Sequence, residues 1–361
     1  MTPLELDVPR PRVAVVRLSS LGDVVRVLPV VASLRRRWPG CELTWVVEPA
    51  SHELLAGHPM VDHFLLFRRD LGVAAHLDLW RRARPLEFDL VLDFHRYLKA
   101  GLVTALLDAP VKLGFDRERS ADLNWWFTTH RIPPGPRRHV QEEYFEFLRH
   151  LGVPVVREWP LPLTGEERRR QRATLGAMED ETLGVLLCSS TDAKDWPVER
   201  WARALEVVRH DLGVQPLLVG GRTPREDRRA GRLRTLTRAR VVDAREQDLR
   251  RLLWTVEGCS VFAGPDSGPL HIAAAAGTPS VGLYGYTDPG RHGPRGPLGR
   301  EEDLVVDRFG PREAGERLDE TRPGRMELIT VDEVVAKIES ALELRDAGPS
   351  RAGAPDGEAT P

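Results

Sequence analysis

Lysine is scarce in this chain. Of 52 basic residues only Lys99, Lys112, Lys194 and Lys337 are lysines, so each stands out against an arginine background. Cysteine is scarcer still. Cys41, Cys188 and Cys259 have no spacing that would gather them around a metal or staple a small secreted domain. They sit beside apolar runs and read as small buried side chains in a reducing compartment. No apolar run approaches the roughly 18 residues that cross a bilayer. The start, Met1-Thr2-Pro3-Leu4-Glu5-Leu6-Asp7, lacks the basic and apolar regions of a secretory signal. The expected location is the cytoplasm, with peripheral contact to the inner membrane. Two nucleotide motifs are also missing. There is no G-x-G-x-x-G and no G-x-x-x-x-G-K-[ST], which removes the main support for a dinucleotide dehydrogenase or a P-loop protein. The formal net charge of −2 gives no global field for nucleic acid. The arginine runs 35–37 and 168–170 read as solvated helix faces.

What is present is a regular alternation. Val13–Leu18, Glu42–Val47, Asp62–Phe67, Asp89–Phe94 and Pro110–Gly114 read as strands of a first sheet. Leu183–Cys188, Gln215–Val219, Arg240–Asp243, Cys259–Ala263 and Ser280–Tyr284 read as strands of a second. Helical patterns such as Trp201–Leu212 and Leu249–Glu257 lie between them. Such alternation predicts α/β units with parallel sheets. The 361 residues suit two domains, 1–160 and 161–345, with the polar, proline-bearing stretch 153–167 as linker. The remainder, 346–361, has the composition of a disordered tail.

Three loops carry the chemistry. Ser19-Ser20-Leu21-Gly22-Asp23 joins the first strand to an amphipathic run ending at Trp38, inside which Pro29 predicts a kink or an early break. Cys188-Ser189-Ser190-Thr191-Asp192-Ala193-Lys194-Asp195-Trp196-Pro197 follows a second strand. Its lysine is a compact charge suited to a phosphate oxygen, or else a solvated loop residue. Pro265-Asp266-Ser267-Gly268-Pro269-Leu270-His271 turns into a helix of small apolar residues. Pro269 fits the first turn, and the free N–H groups of that helix start suit a diphosphate. The bland alternative is an ordinary capped helix.

Taken in this order, the three stretches resemble the signatures of the heptosyltransferases of lipopolysaccharide core synthesis, glycosyltransferase family nine. The resemblance runs from about Arg12 to about Leu344. It implies a GT-B fold, in which two Rossmann-like domains face each other across a cleft. It also implies inverting transfer of a heptose from an ADP-activated donor to a lipid A–Kdo type acceptor, with no cofactor and no metal. A last helix, Val331–Arg345, is expected to cross the cleft. Asp23 takes the place of the general base, against the alternative of a helix cap. Lys194, Ser189, Ser190, Asp266, Ser267, Gly268 and His271 are assigned to the donor, with Glu226 on its ribose. For His271 a packed core residue is the alternative, and for Glu226 a first-turn residue favoured by the helix dipole. Ser20, Gly22, Glu48, Asp93, His95 and Arg96 are expected around the acceptor. At His95 and Arg96, with Lys99 a turn later, the sequence departs from the family pattern, and a basic trio there suits an acidic sugar. Thr287 and Asp288 are expected near the donor sugar, on a mobile edge that runs to Gly299. Two other readings stay open: another nucleotide-sugar enzyme of this fold, such as an epimerase or one using a different sugar, and an inactive binding relative.

Overall fold

A computed structural model describes residue 4, residues 6–176, residue 178, residues 180–311 and residues 320–347. The first unit runs β1 (Arg12–Val16), α1 (Leu21–Arg37), β2 (Glu42–Val47), α2 (Pro49–Leu55), β3 (His63–Leu66), α3 (Val73–Ala83), β4 (Leu90–Asp93), α4 (Leu98–Ala105), β5 (Val111–Gly114), β6 (His130–Arg131) and α5 (Val140–His150). The second runs α6 (Gly165–Leu175), β7 (Thr182–Leu186), α7 (Val198–His210), β8 (Gln215–Val219), α8 (Pro224–Leu236), β9 (Val242–Asp243), α9 (Leu249–Gly258), β10 (Val261–Pro265), α10 (Gly268–Ala275), β11 (Ser280–Tyr284), α11 (Pro289–His292), β12 (Val305–Asp307) and α12 (Val331–Ala347). Central strands such as β1, β4 and β7 are mostly apolar and buried along nearly their whole length because helices cover both faces.

The sheets are ordered β3-β2-β1-β4-β5-β6 and β12-β11-β10-β7-β8-β9. These are the same winding twice, with every pair parallel. Each order reverses once, between β1 and β4 and between β7 and β10. The crevice beyond the strand ends at such a point is where ligands bind in open α/β sheets. Two facing units of this kind form the GT-B arrangement.

One apolar core runs through both units. Val24, Val27 and Leu28 of α1 share a buried cluster with Leu270, Ile272 and Ala273 of α10. On the opposite face of the first sheet, α3 and α4 pack through Ala75, Leu79, Ala83 and Val103 onto Ala14, Val16 and Val91.

Several elements depart from the sequence reading. Helix α1 continues through Pro29 without a break. Proline's fixed φ is compatible with a helix, and the fully buried Leu28, Val30 and Val31 around it offset the lost hydrogen bond. Strands β6 and β12, of two and three residues, are additional to the expected set. Helix α12 packs on α7 and on β10, β11 and β12 of its own unit instead of reaching across the cleft. Its apolar side chains Val334, Ile338 and Ala341 belong to the second unit's core. The expected tail begins inside α12, at Asp346 and Ala347, and the rest of it lies outside the described residues. No helix among the described residues is long and apolar enough to cross a membrane.

Candidate active site

A cavity of about 880 Å³ lies between the two units. That volume falls within the roughly 300–1,000 Å³ of small-molecule sites. Its walls come from the loop after β1, the loop after β7, the turn into α8 and the start of α10. The two helix starts approach closely. A Cβ on Gly22 would lie 2.6 Å from His271 Cδ2, and one on Gly268 would lie 2.9 Å from Leu21 Cδ2. Glycine at both places lets α1 and α10 meet end to side.

On the first unit's lip, Asp23 is held by three donors. Arg17 donates to its Oδ2, Ser20 Oγ to the same oxygen at 3.0 Å, and Arg26 Nη1 to Oδ1 at 2.9 Å. Burial alone would raise this carboxyl, but the two guanidiniums outweigh it and hold it well below the usual carboxylate range. Asp23 is therefore ionised at neutral pH. Arg26 also reaches the second unit, with Nη2 2.9 Å from His271 Nε2 and 2.8 Å from the His292 carbonyl oxygen. Burial and the Arg26 charge push His271 down to about 4, so the ring is neutral and its Nε2 accepts from the arginine.

On the second unit's lip, Lys194 Nζ donates to Asp266 Oδ2 at 2.7 Å, and Thr287 Oγ1 donates to the same oxygen at 2.8 Å. Burial opposes ionisation of Asp266, but the Lys194 ammonium beside it prevails and its pKa falls well below the ordinary value. A buried carboxylate repels a diphosphate, so the contribution of Asp266 is to aim Lys194 and Thr287. Ser267 is the N-cap of α10, yet its hydroxyl caps nothing and is buried without a partner. With the Gly268 N–H it forms a donor set open to an anion.

The neighbouring loop is built by Asp195, whose Oδ1 accepts from the Ser189 N–H at 2.7 Å and the Ser189 hydroxyl at 2.9 Å. Trp196 behind it is fully buried, with Nε1 donating to the Ile329 carbonyl at 3.1 Å. Ser190 is exposed on the cavity wall. Glu226 closes a capping box with Thr223, taking N–H groups from Gly221 at 2.8 Å and Thr223 at 2.9 Å. Burial raises this carboxyl, and the Thr223 hydroxyl with the two N–H groups lowers it further than that. The first-turn alternative thus describes its bonding, although it also lines the cavity.

The structure brings Ser20, Gly22, Asp23, Ser189, Ser190, Lys194, Glu226, Asp266, Ser267, Gly268, His271 and Thr287 to one cavity. Four residues expected at the acceptor do not line it. Asp93 is fully buried beneath the sheet edge, with Oδ1 taking the His95 N–H and Oδ2 taking Thr104 Oγ1 and Asn124 Nδ2. Burial raises it to about 6. His95 turns inward, where its Nε2 accepts the Leu18 N–H at 2.9 Å. Arg96 pairs with the fully buried Glu143 and stacks on Phe115. Glu48 sits at the N-cap of α2 and pairs with Arg69 at 2.5 Å. Asp288 caps α11 through the Gly290 N–H. The edge expected to be mobile is tied down instead: Arg291 is buried against Glu143 and the Arg138 carbonyl, and His139 Nε2 donates to the Gly293 carbonyl at 2.9 Å. The sequence reading missed Arg26, Arg222, Glu246, Gln247 and His292 on the cavity wall. Arg26 had a local signal, as a lone charge among Val24, Val25, Val27 and Leu28 three residues after Asp23.

Comparison with known proteins adds to this geometry. Residues 76–312 match the model of glycosyltransferase family 9 (heptosyltransferase). The lipopolysaccharide core heptosyltransferase OpsX of Haemophilus influenzae is 27% identical, over 81% of this chain and 84% of its own. Lipopolysaccharide heptosyltransferase 1 of Escherichia coli K12 is 28% identical, over 77% of this chain and 89% of its own. In fold, the chain is similar to a glycosyl transferase family 9 protein from Veillonella parvula, with TM-score 0.81 and 21% identity over 95% and 99% of the two chains. It is also similar to E. coli heptosyltransferase WaaC with ADP, with TM-score 0.70 and 24% identity over 91% and 99%.

Proposed function

Because the chain belongs to glycosyltransferase family 9, the heptosyltransferases, we propose that it moves a heptose from ADP-heptose to a lipopolysaccharide core acceptor of the lipid A–Kdo type, in peripheral contact with the inner membrane. One observation supports this above the rest. An ionised carboxylate on one unit, Asp23, and a lysine beside a helix start on the other, Lys194 at α10, face the same cavity.

In this reading the acceptor hydroxyl oxygen attacks the anomeric carbon opposite the departing diphosphate. The new C–O bond forms as the bond to the β-phosphate oxygen breaks. ADP leaves with that electron pair, and the hydroxyl proton passes to Asp23. A carboxylate held low by two arginines is a weak base, but the hydroxyl becomes acidic as its oxygen bonds to carbon. The negative charge growing on ADP meets Lys194, the Ser267 hydroxyl and the first N–H groups of α10. No cofactor and no metal is assigned a part.

The test is a product assay. Purified protein is given ADP-heptose with a deacylated core acceptor, with water alone, and with a UDP-sugar in place of the donor. Mass spectrometry should find the acceptor extended by one heptose only in the first mixture. Free heptose from water alone would instead favour a hydrolase. Isomerised donor would favour an epimerase.

A further inference from the structure

Exposed large apolar side chains are not scattered over this protein. Among the described residues, nine of the ten lie between Leu71 and Trp126, in the first unit, and the other is Leu328. Val73 is 88% exposed, Trp126 63% and Tyr97 59%. Helix α3 explains part of this. Its buried stripe is Ala75, Leu79 and Ala83, while Val73, Leu77 and Trp80 form a second apolar stripe at spacings of four and three, facing outward. Helix α4 repeats the pattern, with Val103 inward and Leu98 and Leu102 outward. Both helices pack on the same face of the first sheet, the one turned away from α1 and the second unit. Their N-terminal ends follow β3 and β4, so they start at the sheet edge from which the Ser20–Asp23 loop also rises. The turn bearing Trp126 packs on α4: a Cβ on Gly101 would lie 2.4 Å from Phe127 Cδ2.

Cations frame these side chains. Arg84 stacks on Trp80, and Arg117 and Arg131 both stack on Trp125, next to Trp126. Arg81 and Lys99 are exposed beside them, with exposed acids such as Asp70, Glu87, Asp108, Glu118 and Asp122 interspersed nearby. Tryptophan and tyrosine among arginines suit the boundary between headgroups and acyl chains, and the cations suit anionic headgroups.

We propose that the outward face of α3, α4 and the turn at Trp126 docks the protein onto an anionic bilayer surface. The proposal rests on the reading that the acceptor is lipid-linked. A bilayer fits better than a second copy of the chain, because the apolar side chains include aromatics with polar tips and alternate with charge, where an obligate protein interface is continuous and more apolar.

The experiment is flotation of the full chain with vesicles of phosphatidylethanolamine and phosphatidylglycerol, or of phosphatidylcholine alone. The wild type should float with the first and much less with the second. Val73→Glu/Trp126→Glu should lower the bound fraction about tenfold or more. Leu328→Glu, on the second unit, should leave it unchanged. Failure of the wild type to float, or an equal loss in Leu328→Glu, overturns the proposal. So does a dimer in sedimentation that Val73→Glu/Trp126→Glu dissociates, since the face would then belong to a second copy. The variant's transfer to a deacylated, soluble acceptor should equal the wild type's, and a fall there overturns the proposal by placing these residues in the site. Absence of transfer in the wild type would strike the proposed reaction and leave the flotation result standing.

Discussion

Two residues carry most of the chemistry, and each can be tested by a change that keeps its shape. Asp23→Asn retains size and the hydrogen bond from Ser20 but cannot take a proton. Turnover should fall by about 10²–10⁴-fold, the usual contribution of a positioned base, while ADP affinity stays near the wild-type value. Single-turnover transfer beside calorimetric ADP titration measures both. Near-parental transfer would reduce Asp23 to the anchor of Arg17 and Arg26. Lys194→Ala removes one charged contact, worth about 1.5–3 kcal/mol or roughly ten- to a hundredfold in ADP-sugar binding. Because Lys194 is paired with buried Asp266, its loss also leaves a bare carboxylate facing the diphosphate. The double variant Lys194→Ala/Asp266→Asn should therefore bind ADP more tightly than Lys194→Ala alone. Equal affinities would show that the uncovered Asp266 charge does not repel the diphosphate. If Lys194 and the α10 start suffice for the leaving group, EDTA should leave the rate unchanged. Loss of activity restored by Mg²⁺ would overturn that account.

At the scale of elements, the two glycines that let α1 meet α10 are the sensitive points. Gly22→Ala would place its methyl against the His271 ring, which Arg26 holds in place. Overpacking of this kind costs about 1–3 kcal/mol, so the denaturant midpoint should drop and transfer should weaken with it. A variant as stable as the wild type would mean that the two helix starts separate easily. The strands were legible in the sequence because runs such as Val13-Ala14-Val15-Val16 and Thr44-Trp45-Val46-Val47 are apolar or β-branched and bounded by turns. Strands β6 and β12 were not, since two or three residues hold no periodicity. Pro29 misled because a local rule was overridden by burial. The site was legible where its residues sit on strand-to-helix loops, as at Asp23, Lys194 and Ser267. It was illegible where the partners are distant: Arg26 meets His271 across 245 positions, and Arg291 meets Glu143 across 148. Asp93 and His95 misled for a related reason. They stand at a strand end as cleft residues do, but Asp93 turns inward to the His95 N–H, Thr104 and Asn124, and His95 turns inward to the Leu18 N–H.

The whole molecule is joined at a buried junction where Arg26 is surrounded by neutral histidines, and this fixes how stability should respond to pH. Burial and the Arg26 charge push His271 and His292 down to about 4, and burial pushes His139 well below its ordinary value. In the unfolded chain each titrates near about 6.5. As pH falls below that value the unfolded state takes up protons that the folded state refuses, so stability should decline from about pH 6.5 toward 4. Asp93 works the other way. Its folded pKa, raised to about 6 by burial, favours the folded state as pH falls through that range. Asp195 and Glu301 are raised by burial as well, but the seven lowered histidines outnumber these three carboxyls and leave a net loss. Asp23 and Asp266, whose folded values are depressed, add their own loss only as pH falls below the unfolded value of about 3.9. The melting temperature should therefore be lower at pH 5 than at pH 7. His271→Gln keeps an acceptor for Arg26 but cannot titrate, so its drop between those two pH values should be smaller than the wild type's. Calorimetry of both proteins at both pH values decides the matter. An identical drop would move the pH sensitivity away from the junction, to histidines such as His58 and His95, which burial also lowers and which lie within the first unit.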